Sequence, residues 1–210
     1  MLNTHKLINI DLKMDSAVQQ ASKIYFEGGV FIYPTDTLYG FGANPFNEEA
    51  VNKINEIKGR ESGKSYILLV KDIEHLLKYV DLKSEKQMDF LISIWPNPVS
   101  VILNLNNKTK SILKTNTVAF RVPNNRFCLK VLAEVKMPLI STSVNKKNQT
   151  PLIEPGLIIN EFAEEVETIF YSDKKSFFDA STIIDMTSSR LKMVRKGKIN
   201  FEELLAKYEA

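Results

Sequence analysis

The chain has 210 residues, 44% of them apolar and 10% aromatic, which suffices for one sizeable core. Its 28 basic and 25 acidic side chains leave a net charge of +3, too little for a general nucleic-acid-binding composition. One cysteine, Cys128, excludes an internal disulfide, and with two histidines, His5 and His75, it gives no structural zinc pattern. No run approaches the length of a membrane span and the N-terminus lacks an apolar signal core, so a soluble cytoplasmic protein is expected.

In chain order, Asp15 or Ser16 can cap a helix carrying Val18, Ala21, Ile24 and Tyr25 at helical spacing, stopped by Gly28 and Gly29. The β-branched and aromatic run Val30 to Tyr33 then reads as a buried strand ending before Pro34. After a polar, glycine-rich loop, Asn47 caps a helix with Glu48 and Glu49 in its first turn, ending at Lys58 and Gly59. Tyr66 to Val70 is a strand, Ile73 to Val80 and Ser84 to Trp95 are helices, and Pro96 and Pro98 terminate the second. Val99 to Leu105 and Thr117 to Val122 read as strands, Phe127 to Val135 as a helix, and Leu139-Ile140 as a strand running into a surface loop, Asn145 to Thr150. Two further strands, Thr168 to Tyr171 and Thr182 to Asp185, precede a closing helix, Phe201 to Tyr208. Interleaved helices and strands without a linker or repeat predict one α/β domain over residues 1–210, a twisted mixed sheet flanked by helices.

Three stretches concentrate polar chemistry. Tyr33-Pro34-Thr35-Asp36-Thr37-Leu38-Tyr39-Gly40-Phe41-Gly42 follows a buried strand, where α/β sheets place ligands, although a Thr/Gly-rich turn fits equally well. It is not a dinucleotide fingerprint, because Pro45 stands where the third glycine belongs. Lys58-Gly59-Arg60-Glu61-Ser62-Gly63-Lys64-Ser65 imitates a phosphate-binding loop but has the wrong spacing and lies between helix and strand in the wrong order. Its cations suit either a polyphosphate or plain solvation. Ser141-Thr142-Ser143-Val144-Asn145 offers hydroxyls and an amide past another strand, again consistent with an ordinary turn. His75 reads as a surface or half-buried helical residue and Cys128 as an inert buried thiol, so neither supports catalysis.

Taken in order over residues 15–198, these stretches resemble the YrdC/Sua5 family. Pro34-Thr35 through Gly40-Phe41-Gly42 resembles its P-T-x-x-x-x-G-x-G loop, Lys58-Gly59-Arg60 its K-x-R, and Trp95-Pro96-Asn97-Pro98 its W-P-G-P. Arg121-Val122-Pro123 resembles R-V-P, Ser143-Val144-Asn145 resembles S-x-N, and Arg195 stands where a late arginine reaches the nucleotide. Departures are Glu61 for the proline after K-x-R, Lys147-Asn148 for the Ser-Gly after S-x-N, and Asn97 for glycine. Ending near residue 210, the chain resembles the short bacterial form.

The resemblance implies a threonylcarbamoyl-AMP synthase, a nucleotidyltransferase that uses L-threonine, bicarbonate or CO2 and ATP, with Mg2+ on the phosphates, in the t6A37 modification of tRNA. It implies Lys58 and Arg60 as the catalytic pair at the triphosphate and carboxylate, and Thr35 and Arg121 at threonine. Ser143, Asn145 and Arg195 would hold the nucleotide, with Lys64 a further phosphate contact. No protein-borne metal site is implied, and the product would pass to a downstream threonylcarbamoyl transferase. The alternatives are a noncatalytic module binding tRNA or double-stranded RNA, and a carbamoyl-transfer enzyme of the same fold.

Overall fold

A computed structural model describes residues 7–60, 66–174 and 179–209. The first elements are β1 (Leu7–Asn9), α1 (Met14–Phe26), β2 (Phe31–Tyr33), β3 (Gly40–Gly42), α2 (Glu48–Lys58) and β4 (Ile67–Leu69). Then come α3 (Ile73–Leu77), α4 (Glu85–Ile94), β5 (Val99–Asn104), α5 (Asn107–Leu113), β6 (Thr117–Arg121) and α6 (Arg126–Val135). The remainder is β7 (Leu139–Ser143), α7 (Pro155–Phe162), β8 (Thr168–Tyr171), β9 (Thr182–Asp185), β10 (Lys192–Arg195) and α8 (Phe201–Glu209). The ten strands form one mixed sheet in the order β1-β8-β2-β3-β7-β4-β6-β5-β9-β10.

The period-two alternation of strands divides the core between two faces. Phe31, Tyr33 and Leu69 pack with Val18, Ala21 and Tyr25 of α1 and with Phe127, Val131 and Leu132 of α6. Ile32, Phe41, Leu68 and Phe120 point the other way, against Ile54 of α2, Phe90 of α4 and Phe162 of α7. Paired strand residues share a face, so Arg121, opposite Leu69, and Ser141, opposite Ile67, belong to the α1–α6 side.

Several elements depart from the sequence-based expectations. The α1 helix begins two or three residues early, with Lys13 at its N-cap and no side-chain capping bond, while the Ser16 hydroxyl donates to the Lys13 carbonyl. β3, expected as part of a loop, is a strand whose signal two glycines conceal. Its Gly42 lies beneath aromatic rings, where a Cβ would come within 2.7 Å of both Phe31 and Tyr33. α5 is held by its Asn106 cap and buries only Thr109, too little apolar surface to show as a stripe. The α7 helix opens on Pro155 and presents Ile158 and Phe162 to the core. Every residue of β10 is exposed, so the strand carries no alternating burial pattern.

The cap on α2 follows the expectation, with Asn47 Oδ1 accepting from the Ala50 N–H at 2.9 Å. Trp95 makes the corner between α4 and β5 by donating its indole N–H to the Val99 carbonyl at 2.6 Å, and Asn97 Nδ2 donates to the Ile94 carbonyl at 3.0 Å. The Trp-Pro-Asn-Pro match is thus a structural corner, and Asn97 replaces glycine there by closing that corner with its own side chain.

Candidate functional site

A cavity of about 450 Å³ lies over the α1–α6 face of the sheet, above Ile67, Arg121, Ser141 and Ser143. Its wall holds Lys58, Arg60, Arg121, Ser143, Asn145 and Arg195, drawn from four separate sequence regions. Thr35 does not reach it, and Lys64 lies outside the described residues.

The end of α2 delivers two of the cations. Gly59 adopts a left-handed φ of 60°, a conformation that glycine takes without steric cost, and the Arg60 N–H closes the turn on the Asn55 carbonyl at 2.9 Å. Lys58 therefore turns inward, buried, while Arg60 lays its guanidinium over the Tyr66 ring at 5.1 Å. The Lys58 ammonium donates to the Ser143 carbonyl at 2.5 Å, the Asn145 carbonyl at 2.9 Å and Asn145 Oδ1 at 3.0 Å. An ammonium has three protons, so these acceptors use them all. Burial, then the neighbouring Arg60 charge, lower its pKa to about 8.

That clamp fixes the S-x-N segment. Ser143 Oγ donates to Asn145 Oδ1 at 2.7 Å, and Asn145 Nδ2 donates to the Lys146 and Gln149 carbonyls. The Lys147 N–H reaches the Lys58 carbonyl at 2.7 Å, closing one loop on the other. Asn148 adopts φ 65°, the left-handed region favoured by glycine and best tolerated elsewhere by Asn and Asp, so an asparagine suits the position where the resemblance places glycine.

From the opposite side, a register shift between Met193 and Arg195 re-aims the end of β10. Arg195 Nη2 donates to the Ser181 carbonyl at 2.9 Å and to Ser181 Oγ at 3.0 Å, while Nε also reaches that carbonyl. Partial burial of the guanidinium and the Arg121 charge hold its pKa below the usual arginine value. Arg121 is buried at the end of β6; its Nη1 donates to Thr37 Oγ1 at 3.1 Å and lies 3.3 Å from Asp36 Oδ1.

Thr35, expected at the ligand, is 2% exposed and turned into the loop. Its hydroxyl accepts from the Thr37 N–H at 3.0 Å and donates to the Leu38 carbonyl at 2.7 Å, so it shapes the turn that presents Thr37. Thr37, Ser141, Tyr66 and Ser181 line the cavity without having been singled out from sequence. A signal existed for Ser141, which shares a strand face with Ser143 by period two. Ser181 had none, because its place depends on β10 being recognised as a strand.

His75 is more buried than expected, at 6% exposure: Nδ1 accepts from the Lys71 N–H and Nε2 lies 3.1 Å from the Lys136 carbonyl. Burial keeps it below the usual histidine pKa, as a neutral structural group outside the cavity. Burial likewise pushes the Cys128 thiol well up, and Cys128 lies 3.6 Å from the Pro34 carbonyl as an inert core residue. Among the described residues no group of three or more His, Cys, Asp or Glu side chains could hold a metal ion, and no helix is long and apolar enough to cross a membrane.

A sequence model of the Sua5/YciO/YrdC domain, described as telomere recombination, matches residues 23–197. The chain belongs to the Sua5/YciO/YrdC family. Among solved structures it is similar to P. abyssi Sua5 complexed with L-threonine, at 25% identity and a TM-score of 0.85 over 96% of this chain and 60% of that one. E. coli YciO aligns over 90% of this chain and 93% of its own at 23% identity, with a TM-score of 0.81, a likeness of fold. Full-length HypF, in a phosphate- and nucleotide-bound form, shares the fold over 86% of this chain but only 29% of its own length, at 16% identity and a TM-score of 0.72. The chain thus spans about three-fifths of the P. abyssi Sua5 protein.

Proposed function

We propose that the protein is an L-threonylcarbamoyladenylate synthase, joining L-threonine, bicarbonate or CO2 and ATP into threonylcarbamoyl-AMP and pyrophosphate for the t6A37 modification of tRNA. The observation that carries the reading is the convergence of Lys58, Arg60, Arg121 and Arg195 with Ser143, Asn145 and Thr37 in one cavity. Several cations with neutral donors between them suit two anions bound side by side. Family membership and the likeness to a Sua5 protein complexed with L-threonine support the choice of amino acid.

In this reading the threonine amine adds to CO2 and loses a proton to give a carbamate. A carbamate oxygen then bonds to the α-phosphorus as the bond to pyrophosphate breaks. Neither step needs a protein nucleophile; both need the two anions held in line with their charge offset. Arg60 offers a planar fork to phosphate, and Arg195 holds the nucleotide from the β10 side. Lys58 contributes its charge through space and fixes the Ser143–Asn145 segment, so it acts on the nucleotide by its field and by positioning. Arg121 receives the amino-acid carboxylate, and Thr37 replaces Thr35 as the hydroxyl facing the substrate. The described residues offer no carboxylate cluster for a metal, so Mg2+ enters as the salt of ATP and no step is assigned to it.

The deciding experiment measures pyrophosphate release from ATP with L-threonine and bicarbonate together and with each omitted. Release that requires both is the expected result; ATP left untouched under every condition overturns the reading. A second expectation follows from the depressed Lys58 pKa of about 8. A bound triphosphate stabilises the charged ammonium and raises that pKa, so binding near pH 8 takes up protons and weakens as pH rises through about 8. Titration calorimetry in two buffers of different ionisation enthalpy reads the uptake, and equal heats in both would refute it.

A further inference from the structure

The carboxylate of Asp36 is an unusual neighbour for this cavity. Its side chain is 9% exposed, and neither of its oxygens has a hydrogen-bond partner among the described residues. A buried carboxylate is costly unless paired. Its ion-pair partner is Arg121, itself 3% exposed at the side chain, with Nη1 at 3.3 Å from Oδ1.

An Arg–carboxylate pair is frequently joined by two parallel bonds. This one has another form. Arg121 Nη1 is shared between Asp36 and the Thr37 hydroxyl, and Nε is buried without a hydrogen-bond acceptor among the described residues. The guanidinium is tethered through one nitrogen with its donor capacity under-used, at the wall of a cavity that also holds Lys58, Arg60 and Arg195. The loop is built for this. Thr35 pins the turn through the Thr37 N–H and the Leu38 carbonyl, which sends residue 36 behind Arg121 and residue 37 into the cavity.

We propose that Asp36 is a positioning residue that orients Arg121 toward an incoming amino-acid carboxylate. It touches no substrate and acts through Arg121. The carboxylate being that of L-threonine rests on the function proposed above. Asp36 also offsets positive charge where Arg121 and Arg195 stand close enough for one to perturb the other.

The test compares wild type with Asp36→Asn, Asp36→Glu, Arg121→Met and the Asp36→Asn/Arg121→Met double variant. Dissociation constants for L-threonine and for ATP are measured by calorimetry, and the Arg121 Nε–H resonance is followed by NMR. Asp36→Asn should weaken L-threonine binding at least about tenfold, the scale of one charge-assisted contact, with ATP affinity within about twofold. Asp36→Glu should restore part of it. In the Arg121→Met background, where no buried arginine is left unpaired, the Asn substitution should have no further effect.

The NMR readout does not depend on the ligand. Arg121 should turn slowly about its Nε–Cζ bond in wild type and faster in Asp36→Asn. A wild type that binds no L-threonine, with Arg121 still loosened by Asp36→Asn, refutes threonine as the substrate and supports the positioning role. Unchanged guanidinium motion, equal weakening of L-threonine and ATP, or additive effects in the double variant each overturn the positioning role.

Discussion

Arg60→Ala is expected to lower pyrophosphate release about 100-fold while the protein melts within a few degrees of wild type. Among the described residues, the Arg60 side chain closes no loop; its contact there is the stack over Tyr66 at 5.1 Å, worth about 0.5–1 kcal/mol to the fold. At the substrate, losing one charge-assisted contact to a developing phosphate charge costs about 1.5–3 kcal/mol, or about 10- to 150-fold in rate. Lys58→Ala differs in kind. It removes an ammonium from three acceptors, at the Ser143 carbonyl and on Asn145, and leaves them part-buried beside the loop they hold. That variant should lose activity and also about 1–3 kcal/mol of stability. The contrast between the two in a melting experiment separates the roles. Turnover within about threefold of wild type in Arg60→Ala would remove it from the catalytic pair.

The features legible in the sequence were those with local causes. α2 could be read with its cap because Asn47 bonds within its own turn, and the β2 strand because three consecutive residues are buried. Lys58 and Arg60 could be singled out because the K-x-R motif that they resemble is contained in three consecutive residues. What escaped depends on distant partners. β3 is a strand because β2 and β7 flank it, and its glycines are required by rings that belong to β2. Thr35 and Thr37 are chemically alike and two residues apart; only the turn geometry decides that the first is buried and the second lines the cavity. Asp36 could not be linked to Arg121 from a pattern, because 85 positions separate them and the pair forms only once β6 is beside β4.

The same dependence on distant packing makes Gly197→Ala the second large effect. A Cβ at Gly197 would lie 2.4 Å from the Ala180 carbonyl oxygen, the Ser181 carbonyl carbon and the Thr182 nitrogen. Those are backbone atoms of the segment entering β9, and they have no rotamer through which to yield. The two segments are also zipped together: Lys198 N–H to the Ala180 carbonyl at 3.0 Å, Ile199 N–H to Thr182 Oγ1 at 3.0 Å, and Thr182 Oγ1 to the Ile199 carbonyl at 2.6 Å. An added methyl must part them, at an overpacking cost of about 1–3 kcal/mol, equivalent to about 2–12 °C in melting temperature for a chain of this size. Parting them also removes the seat of Arg195, whose guanidinium depends on Ser181 for its recorded hydrogen bonds. Gly197→Ala should therefore lose nucleotide affinity about tenfold or more together with stability. Arg195→Ala should lose the affinity alone, since it removes the guanidinium and leaves the zipper intact. If Gly197→Ala melts and binds ATP like wild type, β10 is not held to β9 as described, and Arg195 is not placed by that contact.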